Sequence, residues 1–222
     1  MIVVHHLNNS RSQRILWQLE ELGLEYDIKR YQRDASTMLA PPELRAVHPL
    51  GKSPVIEEGE LKLAESGAIV QYLAERYGAG TLMPREGTPE RVRCLYWMHF
   101  AEGSAMPPLL LRLIFDRTAK AAPWFARPIA HAIARGVNES FIGPNLTRHL
   151  DYMEAEIAKT GWFAGSALTA ADVQMSFPLE ASAARGGLNE SRPKLMDWLA
   201  RIHARPAYKR ALERGGEYGI LR

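Results

Sequence analysis

Every stretch of this chain that reads as β-strand lies within the first 64 residues, and after residue 88 the strand signals vanish. "MIVVHHL" is a short apolar run with the length of a buried strand. The next segment places Ile15, Leu19 and Leu22 at i, i+4 and i+7, one face of a helix, and Gly23 stands where a C-terminal glycine cap belongs. "EYDIKRYQ" alternates Tyr26, Ile28 and Arg30 against Asp27, Lys29 and Tyr31, which predicts a second strand, parallel to the first through the intervening helix. "SPVIEEGELKLA" predicts two short strands around a turn at Glu58–Gly59–Glu60. A helix then starts near Ser66 and carries Ile69, Tyr72, Leu73 and Tyr77 on one side.

The order strand, helix, strand, short irregular or helical piece, strand, strand, helix is the thioredoxin-like α/β arrangement, and it fills residues 1–80. "GAGTLMPREGTPE" supplies glycines and prolines where a linker is expected, assigned to 81–88. Residues 89–222 are expected to form an all-helical domain. There Leu146, Leu150, Met153 and Ile157 keep helical spacing, and Leu195, Trp198, Leu199 and Ile202 make a strong amphipathic face. Gly143–Pro144 is expected to break or kink its helix.

Composition narrows the function. The chain is 46% hydrophobic and 24% charged, close to globular averages, and its 222 residues suit one large or two small domains. The net charge of +3 is mild and bases are interleaved with acids, as in "REGTPERVR", so a nucleic-acid role is not expected. Apolar runs such as "ARPIAHAIA" fall well short of the roughly 20 residues that span a bilayer. The one cysteine, Cys94, excludes an internal disulfide and a cysteine-rich zinc site; on a helix after the linker it reads as an ordinary buried thiol. His5 and His6 alternate faces of the first strand and cannot share one metal. With no signal-peptide pattern at the N-terminus, the expectation is a cytoplasmic protein that neither holds a metal nor binds a membrane.

Two segments carry the chemistry. In "LNNSRSQRILW" a strand runs through a polar loop into a helix, a common way to hold a ligand at free helical N–H groups. In "SPVI" a proline stands at the head of a strand, where a ladder N–H would be wanted. In this context "HPLGKSPVIEEGELKLAES" resembles the N-terminal domain of glutathione transferases. "SRSQRILWQLEELGLEYDIKRYQR", "APPELRAVHPLGKSPV", "LAESGAIVQYLAERYG", "AEGSAMPPLL" and "LTAADVQMSFPLEA", taken in order, are similar to the bacterial and fungal members of the yeast type.

The resemblance implies a glutathione site with named parts. Pro54 would be the cis-proline, following Ser53, whose backbone would bond the cysteinyl part of glutathione; many members have valine in place of Ser53. Ser66, at a helix start, suits the γ-glutamyl carboxylate through its hydroxyl, its N–H and the helix dipole. Glu65 would receive the amine and Lys52 the glycine carboxylate. His48, held extended before Pro49, is a further candidate. In relatives with a serine active site the serine lies four residues before an arginine that opens the helix, a spacing matched by Ser10 and Arg14. Ser10 is therefore the chosen thiolate donor, with Ser12, Asn8, Asn9 or a backbone N–H left open as alternatives. No tyrosine or cysteine occupies the loop, which argues against the tyrosine- and cysteine-dependent classes.

The acceptor pocket is expected between the domains, walled by Met106, Leu110 and Ile114 on one helical face. Glu102 would reach the γ-glutamyl amine of a partner subunit's ligand, since such proteins are commonly homodimers. In "LTAADVQ", Thr169 and Asp172 form a capping box with Leu168 and Val173 as a hydrophobic staple, read as a folding element. The expected activity is attack of glutathione thiolate on small, largely apolar electrophiles. The alternatives are glutathione-dependent peroxidase or disulfide reductase activity, or glutathione binding without turnover.

Overall fold

The computed structural model describes every residue except Ala35, Met38, Glu217 and Arg222, with Leu221 described by its backbone alone. Strand β1 (Ile2–Leu7) leads through a four-residue turn into helix α1 (Ser12–Glu21), and β2 (Tyr26–Tyr31) returns parallel to β1, with Ile2 opposite Tyr26. A short helix α2 (Glu43–Val47) precedes the hairpin of β3 (Val55–Glu58) and β4 (Leu61–Ala64), and α3 (Ser66–Tyr77) closes the unit. Sheet order is β2-β1-β3-β4, with β3 antiparallel to both neighbours. This is the thioredoxin-like domain.

Seven α-helices follow among the described residues: α4 (Pro89–Phe100), α5 (Met106–Ala121), α6 (Arg127–Val137), α7 (Gly143–Thr160), α8 (Ala170–Ala181), α9 (Pro193–Ala204) and α10 (Pro206–Gly215). The second domain is all-α. Wide π-helical turns at Ala101–Ala105 and Asn138–Ile142 carry α4 into α5 and α6 into α7. The break expected at Gly143–Pro144 takes this form: the Gly143 N–H reaches back five residues to the Asn138 carbonyl. A Cβ at Gly143 would lie 2.8 Å from that oxygen, so the turn closes only around glycine.

α1 is shared by the cores of both domains. Residues 12 to 19 of this helix are all buried, because its two sides face the sheet and the helical domain together. Trp17 packs edge-on against Tyr208 of α10 with ring centroids 5.4 Å apart, and Arg205 clamps the Glu21 carboxylate with two bonds. Arg210 and Arg214 hold Glu20 in the same way. One continuous apolar cluster therefore runs from Ile2 and Val4 through Trp17 to Trp97 and Trp198. The turn ahead of α1 is fixed from both domains.

Candidate active site

The turn between β1 and α1 is built by hydroxyls. Asn9 takes φ 51, a left-handed conformation that asparagine tolerates better than most residues. Ser10 accepts the Ser12 N–H on its hydroxyl at 3.2 Å and the Gln13 N–H on its carbonyl at 3.3 Å, so it satisfies the first amides of α1. Ser12, fully buried, sits 2.7 Å from the Ser10 hydroxyl and 2.8 Å from His6 Nδ1. Burial pushes the His6 imidazole down to about 4, Arg30 lowers it further, and a bond to the Gly215 carbonyl opposes them. The ring is neutral at pH 7. With Nδ1 engaged by Ser12 and a carbonyl able only to accept, the ring N–H is assigned toward Gly215. Ser12 then donates to His6, and Ser10 donates to Ser12.

The second wall is Ser53–Pro54, whose peptide bond is cis. The β1–β3 ladder ends at His5 opposite Val55. Beyond it the Ser53 hydroxyl takes over, donating to the His5 carbonyl at 2.7 Å and accepting the Leu7 N–H at 3.1 Å. Neither the N–H nor the C=O of Ser53 has a partner among the described residues. The Ser53 backbone polar groups are therefore open beside the end of β1, where the turn that carries Ser10 begins.

The third wall is the start of α3. Glu65 adopts φ 67, a conformation non-glycine residues rarely hold, while its side chain is exposed. Ser66 is 5% exposed and its hydroxyl accepts from Arg14 at 2.5 Å. Arg14, buried in α1, also donates to the Gln174 carbonyl at 2.6 Å and to Glu102. Glu102 is gripped from a second side by Arg11 at 2.9 Å and 3.0 Å. Burial works to raise the Glu102 carboxyl, but the Arg14 and Arg11 guanidiniums outweigh it and hold it below the ordinary carboxylate value. Glu102, expected to reach a partner subunit's ligand, is held by Arg11 and Arg14 of its own chain.

Sequence reasoning treated Arg14 only as a spacing marker, and it missed Gln174. The Gln174 side chain is fully buried, neither end of its amide has a partner among the described residues, and its nitrogen lies 3.4 Å from where a Cβ at Gly67 would be. No local pattern could have found either contact, since the partners are separated by 52 to 160 residues. Lys52 is exposed beside Ser53, and His48 ends α2 with its Nδ1 3.4 Å from the Leu50 N–H.

Beyond Asn9 and Arg11 opens a cavity of about 550 Å³ between the domains, with Met106, Leu110 and Phe177 in its wall. Ile114 is 49% exposed and lies outside that lining; Leu113 takes its place. At 100° per residue, Met106, Leu110, Leu113 and Arg117 fall within about 60° of one another, while Ile114 sits at the margin of the stripe. Cys94 is fully buried, and burial pushes its thiol up.

A thioredoxin-like domain with an open strand edge at a cis-proline, joined to a helical domain that walls the same turn, defines the class of glutathione S-transferases. The family models agree: "Glutathione S-transferase, N-terminal domain" matches residues 1–75 and "Glutathione S-transferase, C-terminal domain" matches residues 143–206. The chain belongs to that family. It is 37% identical to glutathione S-transferase 3 of Schizosaccharomyces pombe over 96% of this chain and 88% of the relative. It is 33% identical to glutathione S-transferase 1 of Saccharomyces cerevisiae over 99% and 97%. Among solved structures, a glutathione S-transferase from Actinobacillus pleuropneumoniae superimposes with a TM-score of 0.76 at 32% identity, covering 100% of this chain and 96% of that one. A sphingomonad glutathione S-transferase complexed with glutathione shares the fold, with a TM-score of 0.72 at 23% identity over 96% and 98%.

Proposed function

We propose that this protein is a glutathione transferase that joins the glutathione thiolate to small, largely apolar electrophiles. One observation carries the reading. The β1–α1 turn is hydrogen-bonded at one end to Ser53, through Leu7, and at the other to Ser66, through Arg14. A tripeptide laid across that turn meets the open Ser53 backbone with its cysteinyl amide. Its γ-glutamyl carboxylate meets the Ser66 N–H and the α3 dipole, with Glu65 for the amine and the Gln174 amide in reserve. Lys52 would take the glycine carboxylate, with His48 Nδ1, near the Leu50 N–H, a further candidate contact. Pro54 holds the cis bond that presents Ser53.

The thiol then faces Ser10. Turning the Ser10 O–H from Ser12 to a thiolate gives up one neutral bond, about 1 kcal/mol, for a charge-assisted one of roughly 1.5–3 kcal/mol. The Ser10 oxygen keeps the Ser12 N–H throughout, which strengthens its proton as a donor. A free thiol near 8.5 needs about 2.7 kcal/mol to fall by about two units. The Ser10 bond with the α1 N-terminus is of that size. In reaction the sulfur attacks the electrophilic carbon, the leaving group departs with its electron pair, and the thiol proton passes to solvent.

The family resemblance also supports a homodimer, with Val92 (69% exposed) and Tyr96 (46% exposed) offering an apolar face on α4. The single cysteine suits a reducing, cytoplasmic setting. No helix among the described residues is long and apolar enough to cross a membrane.

Purified protein assayed with a chloronitroaromatic acceptor, cumene hydroperoxide and hydroxyethyl disulfide tests the reaction class. Conjugation as the dominant activity is expected. Activity confined to the peroxide or disulfide, or glutathione binding with no turnover at all, would replace it.

A further inference from the structure

The cavity beside the glutathione turn is not simply apolar. Arg11, Arg33, Arg117 and Arg185 share its lining with Met106 and Phe177, and none of the described lining residues is acidic. Arg11 is spent on Glu102. The Arg117 and Arg185 side chains take part in no hydrogen bond or ion pair among the described residues, and among these the buried Arg185 Nε has no partner. Burial lowers the Arg185 guanidinium from its ordinary value, and Arg117 and Arg11 lower it further, as they do Arg33. At Arg185 burial and the two like-charged arginines outweigh the opposing pull of Tyr218, and no carboxylate of the described residues lies in the lining.

The charge is also ordered along the chain. On α5, Met106, Leu110 and Leu113 lead to Arg117 on one stripe, and α8 runs from Phe177 to Arg185 in the turn that follows it. The lining therefore pairs apolar side chains of α5 and α8 with guanidiniums that follow them along the chain, and Arg11 of the β1–α1 turn shares it. Lys52, Ser53, Glu65 and Ser66 are not in the lining, so the arginines are separate from the groups placed for glutathione's own carboxylates. Guanidinium groups match carboxylates in shape as well as charge.

We propose that the acceptor substrate is a carboxylate-bearing electrophile, its apolar reactive body against Met106 and Phe177 and its carboxylate held by Arg117 and Arg185. This rests on the conjugation reading and adds the substrate class. The pair chloronitrobenzoate and its neutral methyl ester isolates the charge. In each, a carbon–sulfur bond forms, the carbon–chlorine bond breaks, and chloride leaves with the bonding electrons.

The test is kcat/KM for both acceptors, each divided by its uncatalysed rate with glutathione. The wild type should favour the acid by about tenfold. Arg117→Gln and Arg185→Gln should each cut the acid-to-ester ratio about threefold to fivefold, and the double variant should bring it near one. A ratio near one in the wild type, or unchanged in the double variant, overturns the proposal while leaving conjugation standing. If neither acceptor is turned over, the conjugation reading fails and equilibrium binding to glutathione-saturated protein decides. Tighter binding of the benzoate than the ester, lost in the double variant, upholds the anion site. Equal binding, or benzoate displaced by glutathione, overturns it.

Discussion

The Leu7 N–H, the last donor of β1, is bonded at 3.1 Å to the Ser53 hydroxyl rather than to a backbone carbonyl. A side chain therefore finishes the ladder that Pro54 cannot, and the Ser53 N–H and C=O are left open among the described residues.

Ser53→Val separates these two tasks. The valine loses the bonds to the His5 carbonyl and the Leu7 N–H, at about 1 kcal/mol each. Thermal unfolding should fall by about 4–8 °C, while the Kd for glutathione measured by calorimetry on the folded variant stays within about threefold. A large loss of affinity at unchanged melting temperature would mean that the hydroxyl itself contacts ligand.

Asp172 behaves in the opposite way to a site residue. Its carboxylate accepts from the Phe163 N–H at 3.1 Å, the Thr169 N–H at 2.9 Å, the Thr169 hydroxyl at 3.1 Å and Trp198 Nε1 at 3.0 Å. Asp172→Ala strands several buried donors and should destabilise by about 3 kcal/mol or more, read as a shifted denaturant midpoint. Glutathione affinity of the surviving folded protein should be nearly unchanged. Selective loss of affinity would contradict the structural role.

How much of this was legible in the sequence depends on the range of the interaction. The strand–helix–strand order, the Glu58–Gly59–Glu60 turn and the Thr169–Asp172 pairing follow from periodicity and capping chemistry, which act over a few residues. The cis bond at Pro54 came from the family resemblance. Arg14 on Ser66, Glu102 on Arg11 and the charge of the inter-domain cavity could not be read, because they join α1, α3, the α4–α5 turn and α8 in space alone. Leu113 and not Ile114 enters the lining of the inter-domain cavity, since a 3.6-residue period lets both i+3 and i+4 compete for the edge of a face.

His6 and Asp172 give opposite pH dependence. The folded chain leaves His6 neutral down to about 4, against an ordinary value of 6.5, so the unfolded chain binds the extra proton and stability falls as pH drops between them. The Asp172 carboxyl is raised by burial to about 6 from 3.8, so its contribution grows as pH falls through that window and is lost as pH rises through 6. The two largely cancel in the wild type. Chemical unfolding of wild type and His6→Asn across this range isolates the histidine: the stability difference should shift by about 1.4 kcal/mol per pH unit, against the wild type toward acid. A difference constant with pH would show that His6 titrates alike in both states.

The central claim is that glutathione lies across the β1–α1 turn with its thiol at Ser10. Titration of thiolate ultraviolet absorption in the glutathione complex measures this directly. The bound thiol should ionise about one to two units below its free value near 8.5. Ser10→Ala should return it most of the way, and Ser12→Ala part of the way through loss of the hydroxyl chain. A bound thiol that titrates like free glutathione, or a lowered value untouched by Ser10→Ala, would contradict the account.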